Sequence, residues 1–224
     1  IRSRFFIINL EIPYKNSSPL VNALLKIFNR LLFTIFFFFL VPAMAIADLD
    51  ESFLQAVYEG DRKEAESLLN LGANIESRTQ KGSTALIVAS ARNDSEMVRF
   101  LLSRGARVNS RNRYDDTALL LCSTLGNTRC VKNLIEEKVD LNTRNMHGWS
   151  PLARAARYGH LEMMQLLLKH GANVNIQLND GATPLLIATG EEHSGAVHLL
   201  LNNGADIQDT IYGWNKNQML LHRL

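Results

Sequence analysis

The chain has 224 residues, 46% of them hydrophobic and 21% charged, a balance that excludes a disordered chain and fits one globular domain with a leader or anchor. The stretch before Asp48 holds Arg2, Arg4, Lys15, Lys26 and Arg30 against Glu11 alone, so the overall +2 becomes −2 once it is set aside. A near-neutral folded part excludes bulk charge as a reason to bind nucleic acid or an anionic membrane.

Lys26 and Arg30 precede the uncharged run Leu31–Val41, which is followed by Pro42, Ala43, Met44 and the triplet Ala45-Ile46-Ala47. A basic flank, a short apolar core and small residues at the two positions read by a signal peptidase form a signal peptide. The layout predicts cleavage after Ala47 and a periplasmic or secreted mature chain. The alternative is a retained membrane anchor, because Leu31–Ala47 is uncharged throughout and just short of the roughly 18 to 20 residues that span a bilayer. Position 1 is Ile, and the extra residues before Val21 read as an over-extended frame with initiation near Leu20 to Leu25.

From Asp48 onward the sequence repeats. Thr84-Ala85-Leu86, Thr117-Ala118-Leu119, Ser150-Pro151-Leu152 and Thr183-Pro184-Leu185 follow one another at steps of 33 residues. In the same register stand Leu68-Leu69, Leu101-Leu102, Leu134-Ile135, Leu167-Leu168 and Leu200-Leu201, and the glycines Gly72, Gly105, Gly171 and Gly204. Thr84, Thr117, Ser150 and Thr183 are expected to cap the first helix of each unit, with Pro at the first turn where its missing donor costs nothing. Ala89, Ala155 and Ala188 give that helix a small-residue stripe. A second helix starts after Asp61, Asp94, Asn127, His160 or His193, turns its Leu pair inward, and ends at the recurring Gly with φ > 0. Lys138 replaces that Gly in the third of five units.

A 33-residue unit with T-P-L near its start, Gly159-His160-Leu161-Glu162 at its turn and Gly171–Asn175 (G-A-N-V-N) at its end resembles the ankyrin repeat family. The resemblance covers roughly Asp48 to Asp209 and is strongest over Asn145–Gln177. It implies an all-α solenoid of helix-turn-helix units with projecting hairpin loops, and a concave face used for protein binding. The family's His after T-P-L is absent, its place taken by Ile87, Leu120, Ala153 and Leu186. The organisation expected is a leader over 1–47, about five repeats over 48–209, and an irregular or truncated segment over 210–224. In that last segment Gly213-Trp214 echoes Gly148-Trp149, yet Asn215-Lys216 stands where Thr-Pro is expected.

No catalytic motif accompanies the repeats: neither a P-loop, a dinucleotide-binding glycine pattern, H-E-x-x-H nor G-x-S-x-G occurs. Ser150 lies in register with three threonines and reads as a cap. His160 and His193 are turn residues one unit apart, and His193 and His198, five apart, do not share a helix face, so no metal site is expected. No cofactor is expected either. Cys122 shares the small-residue position with Ala89 and Ala155, and Cys130 matches Met97 and Met163. Both read as buried apolar groups, and an exported chain also leaves a disulfide open, with the helix-to-helix distance as the obstacle.

Positions not claimed by capping or packing lie at the hairpin tips and along the exposed side of the first helix. The partner-binding residues expected there are Lys81, Arg92, Arg113, Tyr114, Met146, His147, Trp149, Arg157 and Tyr158, rich in the residue types that dominate interface energies. Gln80, Arg111, Asp116, Leu125, Arg144 and Asn179 share the same surface. The expected function is protein binding after export, by a monomer, without nucleic acid, and with a membrane only if the leader is retained. Exported bacterial ankyrin proteins that the chain resembles imply support of an exported enzyme such as a catalase. The alternative is a secreted effector that binds a host protein.

Overall fold

The computed structural model describes residues 41–207, so the leader's flank and most of its apolar core, and Gly213-Trp214, lie outside the described residues. The chain divides into two compact units, Ile1–Ala47 and Asp48–Leu224. Among the described residues there are ten helices and one isolated antiparallel bridge, between Arg78 and Thr84. None of these helices is long and apolar enough to cross a membrane.

The helices form five pairs: α1 (Val41–Glu59) with α2 (Arg62–Asn70), α3 (Ala85–Ala91) with α4 (Ser95–Ser103), α5 (Ala118–Leu125) with α6 (Thr128–Glu136), α7 (Pro151–Arg157) with α8 (Leu161–Lys169), and α9 (Pro184–Gly190) with α10 (Ser194–Asn202). First helices stack on first helices, α3 on α5 on α7 on α9, and second helices follow as α4, α6, α8 and α10. The small-residue stripe permits the approach: Ala85, Ala89, Ala118, Cys122, Ala155 and Ala188 are all buried. Ile87, Leu120 and Ala153 are buried as well, so where the family pattern carries His this chain makes apolar contact.

Capping follows the sequence in most places. The hydroxyls of Thr117, Ser150 and Thr183 accept from the N–H groups of Leu120, Ala153 and Leu186. Thr84 departs from expectation: its buried hydroxyl makes no hydrogen bond. In the second helices Asp61, Asp94 and Asn127 accept from Glu64, Met97 and Cys130. His160 and His193 do not cap. Each instead reaches back one unit, Nε2 bonding to the carbonyl of Thr124 at 3.1 Å or of Arg157 at 3.0 Å. A carbonyl only accepts, which places a proton on each Nε2.

Of the five pairs, only Leu101-Leu102 is inward at both members. Leu68, Leu101, Leu134, Leu167 and Leu200 are buried; of the second members Leu102 is buried too, but Leu69, Ile135 and Leu168 are only partly so and Leu201 is exposed. Consecutive helical residues lie about 100° apart, so one member of a pair faces the stack while the next turns to its edge. After each second helix the chain reverses in one way: Ala73, Ala106, Val139, Ala172 and Ala205 donate back to those five buried leucines. Lys138 adopts φ 56° at the reversal, where its neighbours in register are glycines. A side chain in that region is strained, so Lys138→Gly is expected to stabilise the array by up to about 1 kcal/mol, read as a higher denaturation midpoint; an unchanged or lower midpoint would contradict the strain.

The cysteines differ from the reading as two separate apolar groups. Cys122 on α5 and Cys130 on α6 form a disulfide, with Cα atoms 6.0 Å apart. The expected obstacle is absent because the tight turn at Gly126–Asn127 sets the two helices of one unit side by side.

Candidate functional site

Four hairpins, centred on Gly82, Asp115, Gly148 and Gly181, precede α3, α5, α7 and α9, and each of these four residues has φ between 58° and 86°. Neighbouring hairpins are joined through their main chains. Arg113 N–H donates to Lys81 O at 3.1 Å, Met146 N–H to Tyr114 O at 3.1 Å, and Asn179 N–H to His147 O at 3.5 Å. Inside the two middle tips an asparagine folds the loop: the side-chain oxygen of Asn112 accepts from Tyr114 and Asp116 N–H, and that of Asn145 from His147 and Trp149 N–H, while Thr79 and Asp180 accept from Ser83 and Ala182 N–H in the outer two. Lys81, Arg113, Tyr114, Met146 and His147 are therefore carried by one hydrogen-bonded row of loops.

A ladder of arginines at the 33-residue step lies at the base of this row. Arg78 donates to the carbonyls of Gly82 and Arg111, both at 2.7 Å. Arg111 donates to Arg144 O at 2.7 Å and to Thr143 Oγ1 at 2.8 Å, and Arg144 to Gly148 O at 3.3 Å and Asn179 Oδ1 at 2.9 Å. This corrects the expectation that Arg111 and Arg144 are free for a partner: their donors hold the next hairpin. Asp116 is engaged likewise, accepting from Asn145 Nδ2 at 2.8 Å. On the opposite turns a second series links units, with Asn109, Asn142 and Asn175 accepting from the N–H of Asp140, Asn173 and Asp206. Asn109 and Asn175 close G-A-x-x-N stretches, and Asn142 holds the same place after Lys138-Val139.

The remaining candidates gather around Trp149. Its ring is half-buried, with the guanidinium of Arg154 4.8 Å and that of Arg157 5.2 Å from its centroid. Arg157 also lies 6.0 Å from the Tyr158 ring and pairs with Glu191 at 3.5 Å. Tyr158 stacks on His160, 5.9 Å between centroids. Large apolar groups stay open to solvent here, Tyr114 at 48%, Met146 at 51% and Tyr158 at 46% exposure, with Leu125 alongside in register at the end of α5. Arg92, at the end of α3, lies 4.3 Å over the ring of Tyr58.

Two members of this surface escaped the sequence reading, Tyr58 and Arg154. Tyr58 precedes the first Thr-x-Leu landmark. Arg154 did leave a signal, since its counterparts one step away are Val88, Leu121 and Ile187. No group of three or more His, Cys, Asp or Glu side chains arranged to hold a metal occurs among the described residues.

Stacked helix pairs joined by projecting, mutually bonded hairpins define a helical-repeat solenoid, a class that binds through its repeated surface. The family model for ankyrin repeats (3 copies) matches residues 53–145 and 122–211. That is well over half of the chain, which belongs to the ankyrin repeat family and is a protein-protein interaction module of all-α architecture. A search of the curated proteins finds no match.

Proposed function

We propose that the chain captures another protein on the face built by its hairpins and the ends of its first helices, and that it does so after export. The observation carrying this reading is the cluster at Trp149, where two guanidiniums flank a half-buried indole beside exposed Tyr158, Tyr114 and Met146. Rigid aromatic groups and arginines contribute most to interface energies because they bury large area at small entropic cost. Trp149 and Tyr158 act as anchors; Arg157 and His147 surround them, and Lys81, Arg92 and Arg113 extend the face toward the first unit.

Two features support export. The residues before Asp48 have the layout of a signal peptide cleaved after Ala47. The buried Cys122–Cys130 disulfide is of the kind that persists in oxidising compartments. There the module serves as an adaptor that supports an exported enzyme such as a catalase.

Replacing Trp149 and Tyr158 together by Ala is expected to abolish capture of the partner by affinity purification while helical content stays unchanged by circular dichroism. Retained capture would place the binding surface elsewhere. Fractionation and intact mass test the compartment: mature chain starting at Asp48 in the periplasm supports the adaptor, material in a host supports an effector, and a mass that includes Leu31–Ala47 rejects cleavage.

A further inference from the structure

We propose that the partner offers this face an acidic segment, an extended stretch with carboxylates flanking an aromatic or aliphatic residue, and that Arg113 and Arg154 are the groups that read those carboxylates. The inference rests on the docking face proposed above and adds the chemistry of what docks.

Arg154 is the leading observation. It occupies a slot that the other units fill with Val88, Leu121 and Ile187, so the packing of the array does not itself call for a cation there. The side chain is half-buried, its Nε is buried without a hydrogen-bond acceptor, and its guanidinium is held over the Trp149 ring at 4.8 Å. A buried donor without an acceptor costs roughly 1–3 kcal/mol, and a carboxylate that accepts from the fork's other N–H groups offsets that cost with charge-assisted bonds.

The distribution of ion pairs points the same way. Three arginines on or just after the second helices have their acids at hand: Arg99 and Arg129 pair with Glu96, and Arg104 with Glu66, while Arg62 on α2 lies over the Phe100 ring. The Arg99 hydrogen bond, foremost, holds the Glu96 carboxyl below the usual carboxylate range. On the hairpin face Lys81, Arg113 and Arg154 have no such partner, and Arg92 has only the Tyr58 ring. Three of the acids nearby are already engaged, Asp116 with Asn145, Glu191 with Arg157, and Asp180 with the N–H of Ala182, and the exposed Asp115 forms no ion pair with Arg113. Arg113 rises from the hairpin bonded to Lys81 and next to the one that carries Met146 and Trp149. The cations thus line the row that holds the anchors.

A protein segment fits better than nucleic acid. Asp115, two residues from Arg113, and Glu192, just after α9, stand exposed, and acids on this face repel a continuous phosphate backbone more than spaced carboxylates. The repeats also carry no net positive charge.

The test is fluorescence anisotropy on the full chain with labelled peptides of one length: alternating Glu and Phe, the same with Gln for Glu, and the same with Lys for Glu. The Glu peptide is expected to bind at least about tenfold more tightly than the Gln peptide, the size of one charge-assisted hydrogen bond. Arg113→Glu and Arg154→Leu are each expected to remove that preference. Arg154→Leu should keep or raise the melting temperature, since it returns the slot to the residue type of Leu121, so lost binding is not lost folding. Equal binding of the Gln peptide, tighter binding of the Lys peptide, displacement by a single-stranded oligonucleotide below the concentration of unlabelled Glu peptide needed, or no binding of any peptide would overturn the proposal. If it falls while Trp149→Ala/Tyr158→Ala still abolishes capture, the docking face stands and only its acidic ligand is rejected.

Discussion

Replacing Gly148 by Ala should lower the unfolding free energy by about 2–3 kcal/mol, combining backbone strain with a steric overlap. Gly148 has φ 82°, and a Cβ placed there would lie 2.5 Å from the backbone nitrogen of Asn179 and 2.7 Å from Arg144 Nη2. Neither neighbour yields easily, because Asn179 N–H bonds to His147 O and the Arg144 guanidinium bonds to Gly148 O and Asn179 Oδ1. Gly181 supplies the control. Its φ is 86°, but a Cβ there meets nothing within 4 Å, so Gly181→Ala should cost only the strain, about 1 kcal/mol. Urea midpoints of the two variants separate the effects, and equal losses would mean that the hairpins do not approach as closely as described. Since Gly148 lies between His147 and Trp149, its replacement should also weaken partner capture.

Removing the disulfide is expected to cost a similar amount. A cross-link between residues eight apart restricts the unfolded chain by about 2–3 kcal/mol on the loop-entropy account. Denaturant titrations with and without reductant should therefore differ by that amount, and Cys122→Ala/Cys130→Ala should match the reduced protein or fall below it. Thiol titration of the unfolded, unreduced chain should find no free thiol from this pair. Two free thiols, or midpoints that ignore reductant, would show that the bond does not form. Because both sulfurs are buried, reductant acts only through opened molecules, so the comparison belongs at equilibrium in denaturant.

Much of the fold was legible in the sequence because repetition assigns roles. The Thr-x-Leu step located the first helices, and the glycine step located the chain reversals and singled out Lys138, which does adopt a positive φ. What the period cannot reveal is which of several recurring side chains points inward to its own unit and which reaches the next. Arg78, Arg111 and Arg144 recur as regularly as the glycines, yet Arg111 and Arg144 read as surface and Arg78 went unread, although the donors of all three end on the neighbouring hairpin. The histidines His160 and His193 read as turn residues one unit apart, but the period does not show that each bonds to the preceding unit. Of the candidate site, the exposed tips were readable by elimination. The pairing of Trp149 with Arg154 was not, because it depends on how a hairpin folds over its own helix.

The covalent bond between α5 and α6 has a mechanical consequence. In a stack whose other joints are hydrogen bonds and packed side chains, the central unit alone cannot part its helices without breaking a sulfur-sulfur link. Load applied by a tethered partner would therefore peel turns from either end toward a staple at the middle, leaving the Tyr114 loop among the last pieces to let go.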